Sequence, residues 1–275
     1  MDVIPSLLCL NTGSKIAVFQ AGRGPDLIYL PGSNVDFRLR PGVLGSKLLD
    51  CFRVTTIEHR GLARSSGPSG PWKMQDFADD VLQIMSILKI RNADLFGESF
   101  GAMVAQWLVL RTPESFGRVT LACGSAGGQA GVSFPFHDWQ DHSPEERARQ
   151  VLRHINLSNQ EIEKIDPIRF HEMTSARVDF EKRFLSGLVQ PDGYERLLAA
   201  RATHDTSGLL GQVKLPVLIM AGRQDGIAPL ANQLATKKLI ERSTLIDFPG
   251  GHDCLWATTE PLEWFLREWV TTPRA

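Results

Sequence analysis

The sequence has 275 residues, a formal net charge of −1 and 43% hydrophobic residues, which is enough apolar material for one large core. The near-neutral charge and the lack of a basic stripe argue against a nucleic-acid partner. No apolar run approaches the ~20 residues that a membrane-spanning helix needs, so we expect no membrane partner.

Two features bear on the compartment. Asp2 stands where a signal peptide would carry positive charge, and the apolar run after it is short. The cysteines are scattered without paired spacing, which is typical of reduced thiols; they are Cys9, Cys51, Cys123 and Cys254. Both features predict a cytoplasmic protein.

Apolar runs separated by turn signals predict strands and helices that alternate along much of the chain. In the first half we expect, in order, strands at Leu7–Leu10, Lys15–Gln20, Leu27–Leu30 and Phe52–Ile57, a helix at Met74–Ile90, a strand at Ala93–Phe96, a helix at Phe100–Leu110 and a strand at Val119–Ala122. In the last quarter we expect a strand at Pro216–Ala221, a helix at Pro229–Leu239, a strand at Thr244–Phe248 and a helix at Pro261–Val270. This alternation predicts an α/β fold with a mostly parallel, doubly wound sheet of about eight strands.

Residues 126–208 break the alternation, because they contain helix starts but no convincing strand. Ser143 and Ser158 each precede a glutamate by three residues, the spacing of a capping box. We therefore divide the chain into a core of residues 1–125 and 209–275 and a helical cap of residues 126–208. The alternative is that these helices pack against the core as an ordinary part of it.

A serine lies where the strand at Ala93–Phe96 must turn into a helix. Gly97-Glu98-Ser99-Phe100-Gly101 fits the pattern G-x-S-x-G, in which the glycines allow a tight turn that exposes the serine hydroxyl above the sheet. The pattern alone is weak, and its position between strand and helix strengthens it. Ser99 is therefore the candidate nucleophile; the alternative is a serine that only caps the helix.

A serine hydroxyl needs a base and an orienting acid to react. His252 follows the last predicted strand and Asp225 follows the strand before it, so both lie at the sheet edge where Ser99 lies. These three residues form the candidate catalytic triad, in the chain order expected for this fold. The alternatives are a surface histidine, a turn-forming aspartate, or Asp253 as the acid in place of Asp225.

Taken together, these residues resemble the α/β-hydrolase superfamily over essentially the whole chain. Residues 58–65 look like the family's D-x-R-G-x-G-x-S loop, with Glu58 for Asp and Ala63 for Gly. The family's His-Gly turn after the third strand appears as Pro31-Gly32-Ser33-Asn34, without the histidine. The overall pattern is similar to small capped hydrolases: carboxylesterases, enol-lactone hydrolases, polyketide methyl esterases and C–C bond hydrolases.

The resemblance implies a cofactor-free mechanism. By it, the backbone N–H groups of Ser33 and Phe100 form the oxyanion hole, and Ser99 forms an acyl-enzyme with His252 as base. No metal is expected: the stretch from His171 begins like a zinc-protease helix but lacks the second histidine.

Several aromatic side chains are candidates for contact with an apolar substrate, although such residues more often pack in the core. They are Phe134, Phe136 and Trp139 in the cap, and Trp256, with Trp72, nearer the core loops.

The leading hypothesis is a serine hydrolase acting on a small-molecule ester or lactone. Two alternatives stay open. One is carbon–carbon cleavage, acyl transfer or elimination on the same triad; the other is a small-molecule receptor that has kept the hydrolase fold. The sequence does not identify the substrate, and it leaves a homodimer open.

Overall fold

A computed structural model describes residues 4–139 and 141–274. Asp2, which bears on the expected absence of a signal peptide, lies outside them. Within these residues, eight strands form one sheet in the order β1-β2-β4-β3-β5-β6-β7-β8. They are β1 (Ser6–Cys9), β2 (Lys15–Gly22), β3 (Asp26–Leu30), β4 (Arg53–Ile57), β5 (Ala93–Glu98), β6 (Phe116–Ala122), β7 (Val217–Gly222) and β8 (Ser243–Phe248). Strands β1, β2 and β4 pair antiparallel, and all pairs from β4 to β8 are parallel.

The helices cover both faces of the sheet and fill the connections between parallel strands. They are α1 (Leu48–Cys51), α2 (Met74–Ile87), α3 (Phe100–Arg111), α4 (Pro144–Ile155), α5 (Asn159–Ile165), α6 (Pro167–Ser186), α7 (Gly193–Ala202), α8 (Leu230–Leu239), α9 (Cys254–Ala257) and α10 (Glu260–Trp264). This architecture confirms the predicted α/β fold class with a mostly parallel sheet.

Strand β3 illustrates why the core has two layers. Successive side chains of a strand point to opposite faces, so Ile28 and Leu30 pack in the cluster that contains Phe100 of α3. Leu27 and Tyr29 pack in the cluster on the other face. Strands β6 and β7 are buried along their whole length, as expected for parallel strands that are covered on both sides.

Helices α4 to α7 lie between β6 and β7, in a stretch that we call the inserted segment (residues 127–205). Its two ends meet: Gly127 and Asp205 form an isolated antiparallel bridge, and the N–H of Thr206 donates to the carbonyl of Ala126 at 2.7 Å. Gly127 has φ 74, and a Cβ there would lie 1.9 Å from the carbonyl oxygen of His204. The segment therefore leaves and re-enters the sheet at one place.

Three local predictions are refined or wrong. The helix predicted at Met74–Ile90 ends at Ile87, before Lys89 with φ 56. The helix predicted at Pro261–Val270 is α10 followed by a π-helical turn at Phe265–Trp269. Ser143 forms the predicted capping box with Glu146, whereas the side chain of Ser158 accepts no capping hydrogen bond. Among the described helices, none is both long and apolar enough to cross a bilayer.

Candidate active site

Ser99 occupies a strained turn between β5 and α3, with φ 52 and ψ −113, a region that side chains other than glycine rarely adopt. Neighbouring glycines permit the turn. A Cβ on Gly101 would lie 1.9 Å from the carbonyl oxygen of Leu30, and a Cβ on Gly97 would lie 2.5 Å from that of Gly101. Ser99 stands at the N-cap position, but its side chain makes no capping hydrogen bond, so its hydroxyl is directed elsewhere.

Three side chains from separate strand ends form one hydrogen-bonded chain. The Ser99 Oγ lies 2.7 Å from Nε2 of His252. Nδ1 of the same ring lies 2.8 Å from Oδ2 of Asp225. Because a carboxylate accepts, Nδ1 carries the ring proton and Nε2 is free to accept from the hydroxyl. The predicted trio is thus brought together, and Asp225 rather than Asp253 is the partner of the histidine.

The surroundings of Asp225 hold its side chain in place. Its other oxygen, Oδ1, accepts backbone N–H groups of Ile227 and Ala228 at 2.8 Å each, and the residue is 2% exposed. Burial lowers the pKa of His252, but the charge and hydrogen bond of Asp225 outweigh it, so the pKa lies above its ordinary value. This arrangement favours the imidazolium that forms when a histidine removes a serine proton.

The two N–H groups predicted for the oxyanion hole are free to donate. Neither Ser33 nor Phe100 donates its backbone N–H to any residue in 4–139 or 141–274. A Cβ placed on Gly32 would lie 3.5 Å from the Cβ of Ser99, so this turn is close to the nucleophile. The turn lacks the family's histidine, but a histidine from another loop contacts it.

That histidine is His59, whose Nε2 lies 3.1 Å from the carbonyl oxygen of Pro31. A carbonyl can only accept, so Nε2 carries the proton. Burial lowers the pKa of His59 to about 4, which keeps the ring neutral. His59 thus anchors the turn that carries Ser33, a role that the sequence pattern of residues 58–65 did not indicate.

A cavity of about 830 Å³ opens over Ser99 and His252. Ser33, Phe136 and Trp256 also line it. A second cavity of about 180 Å³ lies inside the inserted segment. Six side chains line both cavities, so the two cavities adjoin there: Asn34, Phe136, Val151, Arg177, Phe180 and Tyr194.

The predicted aromatic contacts divide between these cavities. Phe136 and Trp256 line the cavity of Ser99, whereas Phe134 and Trp139 line only the second one. Trp72 lines neither: it is 5% exposed and its indole N–H donates to the carbonyl of Pro68. Trp72 is therefore a core residue, which is the alternative that the sequence left open.

Glu98 is a residue of the site that sequence reasoning missed. It precedes Ser99 directly and lines the same cavity. Its Oε2 accepts the hydroxyl of Tyr29 at 2.5 Å, and its Oε1 accepts the indole N–H of Trp256 at 2.8 Å. Burial raises the pKa of Glu98, and the hydrogen bonds from Tyr29 and Trp256 oppose that rise. The signal that could have found it is a carboxylate inside the G-x-S-x-G motif.

Two thiols that the sequence separates by 131 residues lie together beneath the site, with 3.6 Å between the Sγ atoms of Cys123 and Cys254. Ligand atoms of Cys123, Asp225 and His252 lie within 4.8 Å of one another, as a metal would require. Both ring nitrogens of His252 are already used in hydrogen bonds to protein groups. The group is therefore better described as the triad with a neighbouring thiol.

Comparisons with known proteins agree with this fold. A family model described as alpha/beta hydrolase fold matches residues 27–157. The chain is 27% identical over 208 residues to 3-oxoadipate enol-lactonase 2 of Acinetobacter baylyi, covering 74% of this chain and 73% of that protein. It is 28% identical over 260 residues to 2-hydroxymuconate semialdehyde hydrolase of Pseudomonas sp. (strain CF600), covering 86% of this chain and 83% of that protein.

Solved structures share the fold over nearly the whole chain. The crystal structure of an enol-lactonase from Burkholderia xenovorans LB400 superposes with a TM-score of 0.76 at 20% identity, covering 97% of this chain and all of the other. A hydrolase from Pseudomonas aeruginosa PA01 superposes with a TM-score of 0.78 at 23% identity, with 98% of both chains covered. By its sheet, its family match and its curated relatives, the chain belongs to the α/β-hydrolase superfamily, as a hydrolase of the α/β fold.

Proposed function

We propose that the protein is a serine hydrolase that cleaves a carboxylic ester or lactone of a small, largely apolar molecule through an acyl-enzyme on Ser99. The observation that carries this proposal is the continuous hydrogen-bonded chain from Ser99 through His252 to Asp225. A receptor that only binds its ligand has no need of this alignment, and an enzyme that forms an acyl-enzyme does.

The first half of the reaction follows from the proton positions. His252 Nε2 takes the proton of Ser99 as Oγ bonds to the carbonyl carbon, and the carbonyl π electrons move to its oxygen. That oxyanion accepts the N–H groups of Ser33 and Phe100, which have no other described partner. The imidazolium, stabilised by Asp225, then protonates the departing alkoxide as the C–O bond breaks.

The second half restores the enzyme by the same groups. Water replaces the alcohol, and His252 removes its proton as the water oxygen attacks the acyl carbon. The oxyanion collapses, the bond to Ser99 breaks, and the serine recovers its proton from the imidazolium. For a lactone the leaving alkoxide stays attached to the acyl group, so one molecule of hydroxy acid results.

The lining of the two cavities supports a largely apolar substrate. Pockets for small molecules commonly bury most of the ligand against apolar and aromatic side chains. The second cavity, at about 180 Å³, is slightly larger than an apolar cavity of about 150 Å³ that binds benzene in another protein. In our proposal the inserted segment acts as a cap, with Phe136 and Trp256 beside the reacting carbonyl and Phe134 and Trp139 around a ring-sized end group.

Labelling and turnover test the proposal together. A fluorophosphonate should label Ser99, and p-nitrophenyl esters and small lactones should be hydrolysed. Ser99→Ala should lower turnover more than about a hundredfold, since triad losses typically exceed that, while Ser186→Ala, an exposed serine on α6, serves as the control. Binding of esters without turnover would instead favour a receptor.

A second candidate, hydrolysis of a carbon–carbon bond next to a carbonyl, is favoured by one observation. One relative, 28% identical over 260 residues, is a semialdehyde hydrolase. The triad can serve either reaction, because both need an activated oxygen nucleophile at a carbonyl. A diketone in the same panel separates the two: cleavage of the diketone with no ester or lactone turnover would replace the leading proposal.

A further inference from the structure

Glu98 links three parts of the site that come from distant positions in the chain. Tyr29 lies in β3, the strand that leads into the turn of Ser33. Trp256 lies in α9, four residues after His252. Both donate to Glu98, which itself adjoins Ser99. One carboxyl group therefore connects the oxyanion turn, the nucleophile and the loop of the histidine.

The donors of these hydrogen bonds indicate the ionisation of Glu98. An indole N–H can only donate, so Oε1 must accept. Burial raises the pKa of Tyr29 well above the ordinary value, so its hydroxyl keeps the proton that it can donate to Oε2. Two donated hydrogen bonds favour the carboxylate and oppose the rise in the pKa of Glu98 that burial causes. Glu98 lines the cavity next to Ser99 and His252, and its charge acts on the imidazole of His252.

We propose that Glu98 is a positioning residue that acts through His252: its carboxylate is a second negative charge, besides Asp225, that stabilises the imidazolium formed during catalysis. Only the catalytic part of this inference rests on the proposed function. The charge interaction itself exists whether or not the substrate is an ester.

The other groups around His252 do not duplicate this role. Asp225 and Glu98 both raise the pKa of the imidazole against its burial, while Arg201 of α7 acts in the opposite direction. The thiol of Cys123 stays neutral, because its hydrogen bond with Cys254 and its burial raise its pKa. Ser99 is a neutral hydroxyl. Glu98 and Asp225 are thus the two anions that act on this ring among the described residues.

The test is a charge change that keeps the shape. In Glu98→Gln the amide oxygen still accepts the indole N–H of Trp256, and the amide nitrogen can donate to the hydroxyl oxygen of Tyr29. The charge is lost, so the imidazolium loses stabilisation and the pKa of His252 falls. Since kcat/KM requires the neutral ring, its acid limb should move to lower pH by about one unit.

The height of the plateau should change as well. An imidazolium that is less stabilised in the transition state should lower kcat by about tenfold, with KM little changed. Asp253→Asn is the matched control: it neutralises an exposed carboxylate next in sequence to His252, and its acid limb should coincide with that of the wild type. Glu98→Asp, which keeps a charge, should retain an acid limb close to the wild-type position.

A measurement that needs no turnover makes the result independent of the proposed function. NMR titration of the His252 imidazole, in Ser99→Ala with and without Glu98→Gln, should give a lower pKa for the double variant. If Glu98→Gln does not fold, Glu98→Met provides a second neutral side chain for the same comparison.

Two outcomes would overturn the inference: superimposed titrations, or a rate that falls equally at every pH while the acid limb stays fixed. The second would make Glu98 a structural tether. If the wild type neither hydrolyses any ester nor reacts with a fluorophosphonate, the proposed function is wrong. The NMR titration would still decide whether Glu98 acts on His252.

Discussion

Replacing Gly101 by alanine tests how closely the nucleophile turn and the oxyanion turn are packed. Gly101 is the second residue of α3, and its α-carbon faces the end of β3. A Cβ there would lie 1.9 Å from the carbonyl oxygen of Leu30 and 2.4 Å from its carbonyl carbon. Leu30 directly precedes the turn that carries Ser33. The added methyl group therefore pushes α3 and this turn apart.

The size of the effect follows from these distances. Real Cβ atoms essentially never approach another heavy atom within 3.0 Å, so the two backbones must separate by at least about 1 Å, a misplacement that can cost about a hundredfold in rate. The movement also separates the N–H of Phe100 from the N–H of Ser33, and losing one oxyanion donor costs about 10²–10³ in kcat. We expect kcat/KM to fall by about 10²–10³.

The assay combines kcat/KM for a short p-nitrophenyl ester, the rate of fluorophosphonate labelling and urea unfolding. Gly208→Ala is the control, since a Cβ there meets nothing within 4 Å, and it should behave like the wild type. A Gly101→Ala protein that is folded and keeps kcat/KM within about threefold of the wild type would refute the reasoning, because this packing would then not set the geometry of the reaction.

Further changes test the acid, the second cavity and the buried histidines. Asp225→Asn should lower kcat by about 10⁴ while Asp253→Asn has little effect; the opposite ranking in the same ester assay would reassign the acid. Leu198→Phe narrows the second cavity, so kcat/KM for phenyl-bearing esters relative to acetates should fall by about tenfold or more. An unchanged ratio would show that the substrate does not enter that cavity. Burial lowers the pKa of His59 and of His204 to about 4. As pH falls, these two histidines therefore take up protons in the unfolded chain at a higher pH than in the folded protein. The free energy of unfolding should fall by a few kcal/mol as pH drops from about 6.5 to 4. A urea midpoint that stays constant across that range would contradict this prediction.

The sequence was most informative at positions where the local backbone geometry and the proposed reaction require the same residue types. Gly97 and Gly101 are needed by the turn, and Ser99 between them was found for that reason. His252 and Asp225 were found because parallel strands end at one edge of a sheet. In each case a local rule was sufficient.

Contacts between distant segments were out of reach of local rules. The anchoring of Pro31 by His59 and the approach of the Cys123 and Cys254 thiols depend on how separate loops pack. Phe134 and Trp139 were grouped with the site by their aromatic character, but they line only the adjoining second cavity. Only the packing of the inserted segment could reveal that second cavity.

The closed neck of the inserted segment bears on how such a protein can diversify. Because its ends meet at the Gly127–Asp205 bridge, a replacement of different length or helix number need not stretch β6 or β7, and longer loops add little closure entropy. Domain insertion is tolerated for the same geometric reason. In our proposal the inserted segment is the cap over the site, so the edge of the sheet can stay unchanged while residues 127–205 are exchanged, and a chimaera joined at this neck should have a new substrate range.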